Sequence, residues 1–255
     1  MMYTFGGISN DWKLRRNNKG VFGLALIIIL LLAPFIYFAL VLSFRYNIYR
    51  KSQYGYVSGN SFFRTVFDKG NFGEFLTFTY LEKLEGHNRL LTNLYLPKED
   101  GTTTEIDLIM ISQTGIYVFE SKNYSGWIFG DENSKHWTQS LKNNIKNKFY
   151  NPIWQNKGHI NALKNALGID NLNLFKSYIV FSERCSLKKI NITSPNIKVV
   201  KRDLLLRTIR HEIKNSNELL TREEVDKIYI KLLKFVPLDD EIKIRHIENI
   251  KSRVS

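Results

Sequence analysis

Twenty-four consecutive residues, Val21 to Phe44, carry no charge, and nearly all are apolar: V-F-G-L-A-L-I-I-I-L-L-L-A-P-F-I-Y-F-A-L-V-L-S-F. About 20 such residues suffice to cross the hydrocarbon core of a bilayer as a helix. A cleaved secretory signal has a shorter apolar region, about 7–15 residues, followed by a small-residue cleavage site. Here Arg45-Tyr46 follows directly, so residues 21–44 read as an uncleaved transmembrane helix. Pro34 is compatible with that reading, because membrane helices tolerate a kink. The flanks are a polar, basic segment at 1–20, in which no fold is legible, and a juxtamembrane linker at 45–69 with Gly, Ser and Asn at 58–61. Lys13, Arg15, Arg16 and Lys19 precede the span; Arg45, Arg50 and Lys51 follow it. The positive-inside rule compares such counts, and this near tie leans slightly toward a cytoplasmic N-terminus.

The chain has 255 residues and a net charge of +13. Only four basic residues and one acidic residue lie before residue 45, so the remainder keeps 33 basic against 23 acidic residues, or +10. The excess therefore belongs to the part after the span, and it favours an anionic partner such as nucleic acid. At 44% apolar and 13% aromatic the chain can bury a sizeable core. A single cysteine, Cys185, excludes an intramolecular disulfide and a multi-cysteine zinc site.

Past the linker, the folded domain is expected from Gly70. Phe72 to Leu84 has a partial helical period ended by Gly86-His87-Asn88, and Arg89 to Leu96 is a strand closed by Pro97. Trp127 to Phe129 and Trp137 are expected to add a short third strand to the hairpin described next. Asn151-Pro152 is a helix start, with Asn as N-cap and Pro at the first position; Ile153, Ile160, Leu163 and Leu167 share one face, and Gly168 is the stop. Tyr178–Phe181 and Ile197–Val200 read as strands. Residues 204–213 and 223–235 read as helices, the second opened by a Thr221/Glu224 capping box. Residues 238–255 are charged and expected to be peripheral. A domain at 70–187 with a C-terminal strand-and-helix extension at 188–255 follows.

The chemistry concentrates at Thr104–Tyr124, T-E-I-D-L-I-M-I-S-Q-T-G-I-Y-V-F-E-S-K-N-Y. Two apolar arms are interrupted by Ser112-Gln113-Thr114-Gly115, the pattern of a β-hairpin. Side chains alternate along a strand, so Glu105, Asp107, Ile109 and Ile111 share a face, as do Ile116, Val118, Glu120 and Lys122. With Gln113 and Thr114 as the two loop residues, Ser112 faces Gly115, Asp107 faces Glu120 and Glu105 faces Lys122. Opposed residues have Cβ atoms roughly 4.5–5.5 Å apart. Two carboxylates that close repel unless something neutralises them, and a divalent cation would. A hard cation such as Mg²⁺ takes one or two carboxylates plus water and phosphate oxygens. Lys122 would then position water or stabilise charge developing on phosphorus.

Four ordered stretches, G-N-F-G-E at 70–74, T-E-I-D-L-I at 104–109, G-I-Y-V-F-E-S-K-N-Y-S-G-W-I-F-G at 115–130 and N-P-I-W-Q-N-K-G-H-I at 151–160, resemble the nuclease-related domain, NERD. That family is similar to the restriction-endonuclease-like PD-(D/E)xK nucleases, and the resemblance covers roughly residues 69–187. It implies an α/β fold, a restriction-endonuclease-like mixed β-sheet flanked by helices, and a Mg²⁺-dependent (or Mn²⁺-dependent) phosphodiesterase site acting on DNA or RNA. Asp107, Glu120 and Lys122 match the D…ExK core, with Asp107 and Glu120 as metal ligands. Glu74 matches an acid on the first helix, and Gln155 a glutamine after the core. The proline that gives the wider motif its name is absent, since Ile106 precedes Asp107, at a position that varies among these nucleases.

Glu74 also suits a helix first turn, where the macrodipole favours an acid. Gln155 and His159 share a helix face and reach toward a phosphate or an attacking water, or are structural. Glu105 is a ligand or a salt-bridge partner of Lys122. Tyr124, Trp127, Phe129 and Trp137 stack on bases or pack the core, and the basic run Lys142, Lys146 and Lys148 contacts phosphates or is a solvated loop. The expectation is a single-pass membrane protein whose nuclease domain faces the cytoplasm, where nucleic acid and Mg²⁺ are found. The alternative is a membrane-tethered module that binds nucleic acid or a protein partner without catalysis. A third is an anchor that scaffolds other proteins.

Overall fold

The computed structural model describes residues 8–98, 100–237 and 248. The chain divides into two units, at residues 1–51 and 52–255.

The first unit is one helix, α1 (Ile8–Lys51), with Pro34 inside it. Its apolar side chains are exposed from Leu26 to Leu40 and again at Phe44. A stretch within it is long and apolar enough to cross a membrane. The helix starts well before the uncharged run, so residues 8–20, where no fold was expected, are helical. Lys and Arg are good helix formers, and extending an existing helix is far easier than nucleating one.

The second unit begins earlier than expected. Residues 52–69 are not a linker: α2 (Tyr54–Ser58) and α3 (Phe62–Phe67) lie there, followed by α4 (Lys69–Leu81). Tyr54 is fully buried, with its ring 5.3 Å from that of Phe75 and 5.5 Å from that of Phe78. Ser52 reaches Glu82 through its hydroxyl at 3.1 Å. Helices of five and six residues are too short to show a period, which is why Gly, Ser and Asn dominated the reading of this segment.

After α4 come β1 (Arg89–Pro97), β2 (Thr103–Ser112), β3 (Gly115–Lys122), β4 (Gly126–Asp131), β5 (His136–Ser140) and β6 (Lys146–Tyr150). Then follow α5 (Pro152–Leu167), β7 (Phe175–Phe181), β8 (Cys185–Asn191), β9 (Ile197–Lys201), α6 (Arg202–Asn215) and α7 (Arg222–Leu233). Five strands form the first sheet in the order β1-β2-β3-β7-β9, with β1, β2 and β3 antiparallel and β3, β7 and β9 parallel. A second, four-stranded sheet runs β6-β5-β4-β8, antiparallel except for the parallel β4–β8 pair. The fold is thus mixed α/β with two mixed sheets flanked by helices. Trp127 and Trp137 do not extend the hairpin as a third strand; they lie on β4 and β5 of the second sheet. The basic run 142–148 is not a plain loop either, since β6 begins at Lys146.

The two sheets share their chains. β3 runs on into β4, β7 runs on into β8, and both pairs are parallel. Between them the Ser182 N–H donates to the Lys122 carbonyl at 3.0 Å. Lys122 therefore marks the place where the chain leaves one sheet for the other.

Local signals explain the helices. Asn151 caps α5 by accepting from the Ile153 N–H at 2.9 Å, and its amide donates to three carbonyls of the 131–134 turn. Thr221 and Glu224 form the reciprocal capping box of α7. One face of the first sheet, with Ile109, Ile111, Ile116 and Val118, packs on Leu163, Leu167, Tyr229 and Leu232 of α5 and α7. Tyr117 and Phe119, which alternate to the other face, meet Tyr178 of β7 at 5.8 and 5.5 Å between ring centroids. In the hairpin turn Gly115 has φ +133°, and a Cβ there would lie 2.6 Å from the Leu174 carbonyl oxygen, so only glycine fits. The charged stretch 238–255, expected to be peripheral, lies outside the described residues apart from Glu248.

Candidate active site

The hairpin has the register that a two-residue turn dictates: Ser112 opposite Gly115, Ile111 opposite Ile116, and so on to Leu108 opposite Phe119. There the ladder ends. β2 stays with β1, pairing Tyr95 with Glu105, while β3 continues beside β7 to Lys122 opposite Phe181. Asp107 and Glu120 thus stand at a fork, one residue past the last paired step. One strut bridges it: the Ser121 N–H donates to Asp107 Oδ2 at 3.3 Å.

Glu120 is buried, at 1% exposure. Its Oε1 lies 2.7 Å from Lys122 Nζ and its Oε2 lies 3.1 Å from His159 Nε2. Lys122 Nζ also donates to Gln155 Oε1 at 3.1 Å. α5 delivers both Gln155 and His159, four residues apart and therefore on one face. The other ring nitrogen of His159, Nδ1, is 2.9 Å from the Thr104 hydroxyl. With Glu120 as carboxylate, Nε2 donates, and in the neutral ring Nδ1 accepts from Thr104.

The electrostatics follow from five carboxylates in one region. Burial pushes Asp107 up to about 7, with the Glu120 charge adding to it; the Ser121 N–H, His159 and Lys122 oppose the rise. Glu74 of α4 is pushed up to about 9, by burial first and then by Asp107, Glu105, Asp68 and Glu120. For Lys122, burial works against the ammonium, but the charge and hydrogen bond of Glu120 outweigh it and hold its pKa above the ordinary lysine value. Glu74 is the sixth residue of α4, past its first turn, so the macrodipole does not account for it; the raised pKa favours its protonated form, which has an O–H to donate.

The sequence-predicted residues separate cleanly. Lys122 touches both Glu120 and Gln155, Asp107 faces them across the fork, and the Asp107 charge acts on Glu74. Glu105 is not a partner of Lys122: its Oε1 accepts from the Tyr95 hydroxyl at 2.7 Å. The reason is the fork, which carries Glu105 away with β1. His159, read from sequence as structural or phosphate-facing, is buried against Glu120. Thr104 was missed, because its contact crosses 55 residues and leaves no local pattern. Ser121 was missed too; its hydroxyl meets Thr77 of α4 at 3.2 Å, and Thr77 in turn accepts from Nε of the fully buried Arg202 at 3.2 Å. The signal for Thr77 was its place one turn beyond Glu74 on α4.

The nuclease-related domain, NERD, matches residues 69–182. An uncharacterized protein of Bacillus anthracis is 34% identical over 186 residues, which is 72% of this chain and 85% of that protein. The chain belongs to the nuclease-related domain family. No solved structure gives a significant match.

Proposed function

We propose that this chain is a membrane-anchored, Mg²⁺-dependent nuclease of the PD-(D/E)xK type that hydrolyses phosphodiester bonds in DNA or RNA. The carrying observation is the fork itself: two carboxylates, Asp107 and Glu120, beside an ammonium that two acceptors hold in place. Among the described residues no group of three His, Cys, Asp or Glu side chains forms a protein-only metal cage. A hexacoordinate hard cation does not need one, since one or two carboxylates plus water and phosphate oxygens suffice. Each oxygen of Glu120 has one protein donor and keeps a second lone pair, so Asp107 and Glu120 fit Mg²⁺ or Mn²⁺. Burial, with the Glu120 charge beside it, raises the pKa of Asp107 despite Lys122 and His159, and a bound cation would relieve that cost.

When bound, such a cation supplies Lewis-acid polarisation of a phosphoryl oxygen and a more acidic water. The chain's own residues do the rest. Lys122, held between Glu120 and Gln155, presents a fixed positive charge to the negative charge that builds on phosphorus, and fixed charges need no reorganisation as the reaction proceeds. His159, itself held by Thr104, keeps Glu120 in one orientation. Glu74 assists as a proton donor toward Asp107 or a phosphate oxygen, and Gln155 sets the position of the Lys122 ammonium. The exposed apolar helix α1 supports anchoring in a bilayer, with the second unit in the cytoplasm, where nucleic acid and Mg²⁺ meet it.

The test uses the full chain in detergent, incubated with single- and double-stranded DNA and RNA, with Mg²⁺ and with chelator. Mg²⁺-dependent cleavage of at least one substrate is expected; no cleavage of any of them contradicts the proposal. One observation favours a second reading, a non-catalytic binding module: both Glu120 oxygens are already engaged by Lys122 and His159. Calorimetric titration with Mn²⁺ separates the two, because a non-catalytic module predicts no carboxylate-dependent metal binding.

A further inference from the structure

The second sheet has one face in the core and one in solvent. Inward, Ile128 and Trp137 are buried, and the Trp137 ring stacks on Phe181 at 6.1 Å. Gly130 makes room for that ring, since a Cβ there would fall 2.2 Å from it. Outward, alternation along β4 leaves Trp127 and Phe129, and Trp127 is 53% exposed. The register fixes what flanks them. Trp127 faces Ser140 and Phe129 faces Thr138 on β5, and these short side chains face Lys146 and Lys148 on β6. On the other side Phe129 faces Lys189 of β8, and Lys188, at the register shift, sets its Nζ 5.0 Å from the Trp127 ring centroid. All four lysines are exposed.

The result is an aromatic floor between two basic rims. With neighbouring strands about 4.8 Å apart, rims on the outer strands of a four-stranded sheet stand about 14 Å from one another. Asp131, the acid on this face of β4, sits at the far end, where Asn133 N–H and Asn191 already bond to it. Trp127 lies only five positions beyond Lys122, so the floor begins within about 18 Å of the candidate active site along the chain.

We propose that this face is a docking platform for single-stranded nucleic acid, which lays phosphates along the lysine rims and stacks bases on Trp127 and Phe129. The inference rests on the nuclease reading for its purpose but not for its test. Lysines on both rims match a polyanion, and stacked aromatics match bases without regard to sequence. A duplex keeps its base faces hidden in its own stack, so it engages the rims alone. An anionic bilayer also attracts lysine and tryptophan, but it favours aromatics that project, whereas Phe129 is half-buried between taller lysines.

The experiment measures fluorescence anisotropy of a labelled oligothymidine, single-stranded or paired with oligoadenine. It uses the full chain in detergent with chelator present, so that no cleavage occurs. The single strand is expected to bind more tightly than the duplex. Trp127→Ala should weaken single-strand binding about ten-fold and leave the thermal midpoint unchanged, while Trp127→Phe retains most of the affinity. Lys146→Gln with Lys148→Gln should lower the salt dependence of binding by about 0.7 per lost phosphate contact. Cleavage is scored separately on the unaltered chain with Mg²⁺ present, and its absence with platform binding intact counts against the nuclease reading alone. Equal affinity of Trp127→Ala and the unaltered chain, or a preference for duplex, overturns the platform. So does unaltered oligonucleotide binding in Trp127→Ala together with loss of tryptophan quenching by brominated phosphatidylserine, which would assign the face to lipid.

Discussion

His159 Nε2 lies 3.1 Å from Glu120 Oε2, across 39 residues of chain, and both side chains are buried. The contact fixes a carboxylate that Lys122 holds by its other oxygen, so the acid cannot turn without losing one of the two bonds.

His159→Ala should therefore act through Glu120. Partners of this kind typically contribute about 10- to 100-fold in metal affinity or activity. The expected result is a rise of about ten-fold in the Mg²⁺ concentration that half-saturates cleavage, with a smaller change at saturating Mg²⁺. A fall in rate that excess Mg²⁺ does not relieve at all would mean that His159 acts otherwise.

Gln155→Ala removes one of the two acceptors that hold Lys122 Nζ. The ammonium keeps its bond to Glu120 but loses its fixed position. A fall of about ten-fold or more in kcat is expected, because removing one preorganised group from a developing charge costs that much or more. Mn²⁺ binding measured by calorimetry should stay unchanged, since the carboxylates are untouched.

The pH dependence of stability has a definite sign. Asp107 in the folded chain is raised to about 7 and Glu74 to about 9, above the ordinary carboxylate range. Between those ordinary values and the raised ones the native state binds more protons than the unfolded state, so stability falls as pH rises. Asp107→Asn removes the Asp107 share of that loss. In chelator its thermal midpoint should match the unaltered chain at about pH 4 and exceed it near pH 8, by about 1–3 kcal/mol in stability. A midpoint lower than the unaltered chain's near pH 8 would contradict the account of the fork.

Tyr54→Ala tests where the second unit begins. Tyr54 is fully buried against Phe75 and Phe78, and truncating a buried aromatic side chain to Ala costs about 3–5 kcal/mol. Chemical denaturation should show a loss of that order. A change below about 0.5 kcal/mol is what an exposed linker residue would give.

Much of this fold was legible where the signal is local. The Gln113-Thr114 turn set the hairpin register as far as Leu108 and Phe119, Asn151-Pro152 marked the start of α5, and Thr221 with Glu224 marked that of α7. What the sequence hid is non-local. No pattern near residue 107 says that β2 and β3 part there, and so Glu105 was placed against Lys122 when it bonds to Tyr95. The second sheet was reduced to one short strand because β8 is largely exposed and reads as polar, and because its parallel partner β4 lies more than 50 residues earlier. The buried pair of Glu120 and His159 had the same difficulty: a lone histidine on a helix shows no preference until the strand beneath it is known.

The most direct test compares the unaltered full chain with Lys122→Ala and Asp107→Ala, measuring Mg²⁺-dependent cleavage and Mn²⁺ binding on the same preparations. Lys122→Ala should bind the metal and fail to cleave, and Asp107→Ala should lose both. Full cleavage by either variant would contradict the assignment of this site.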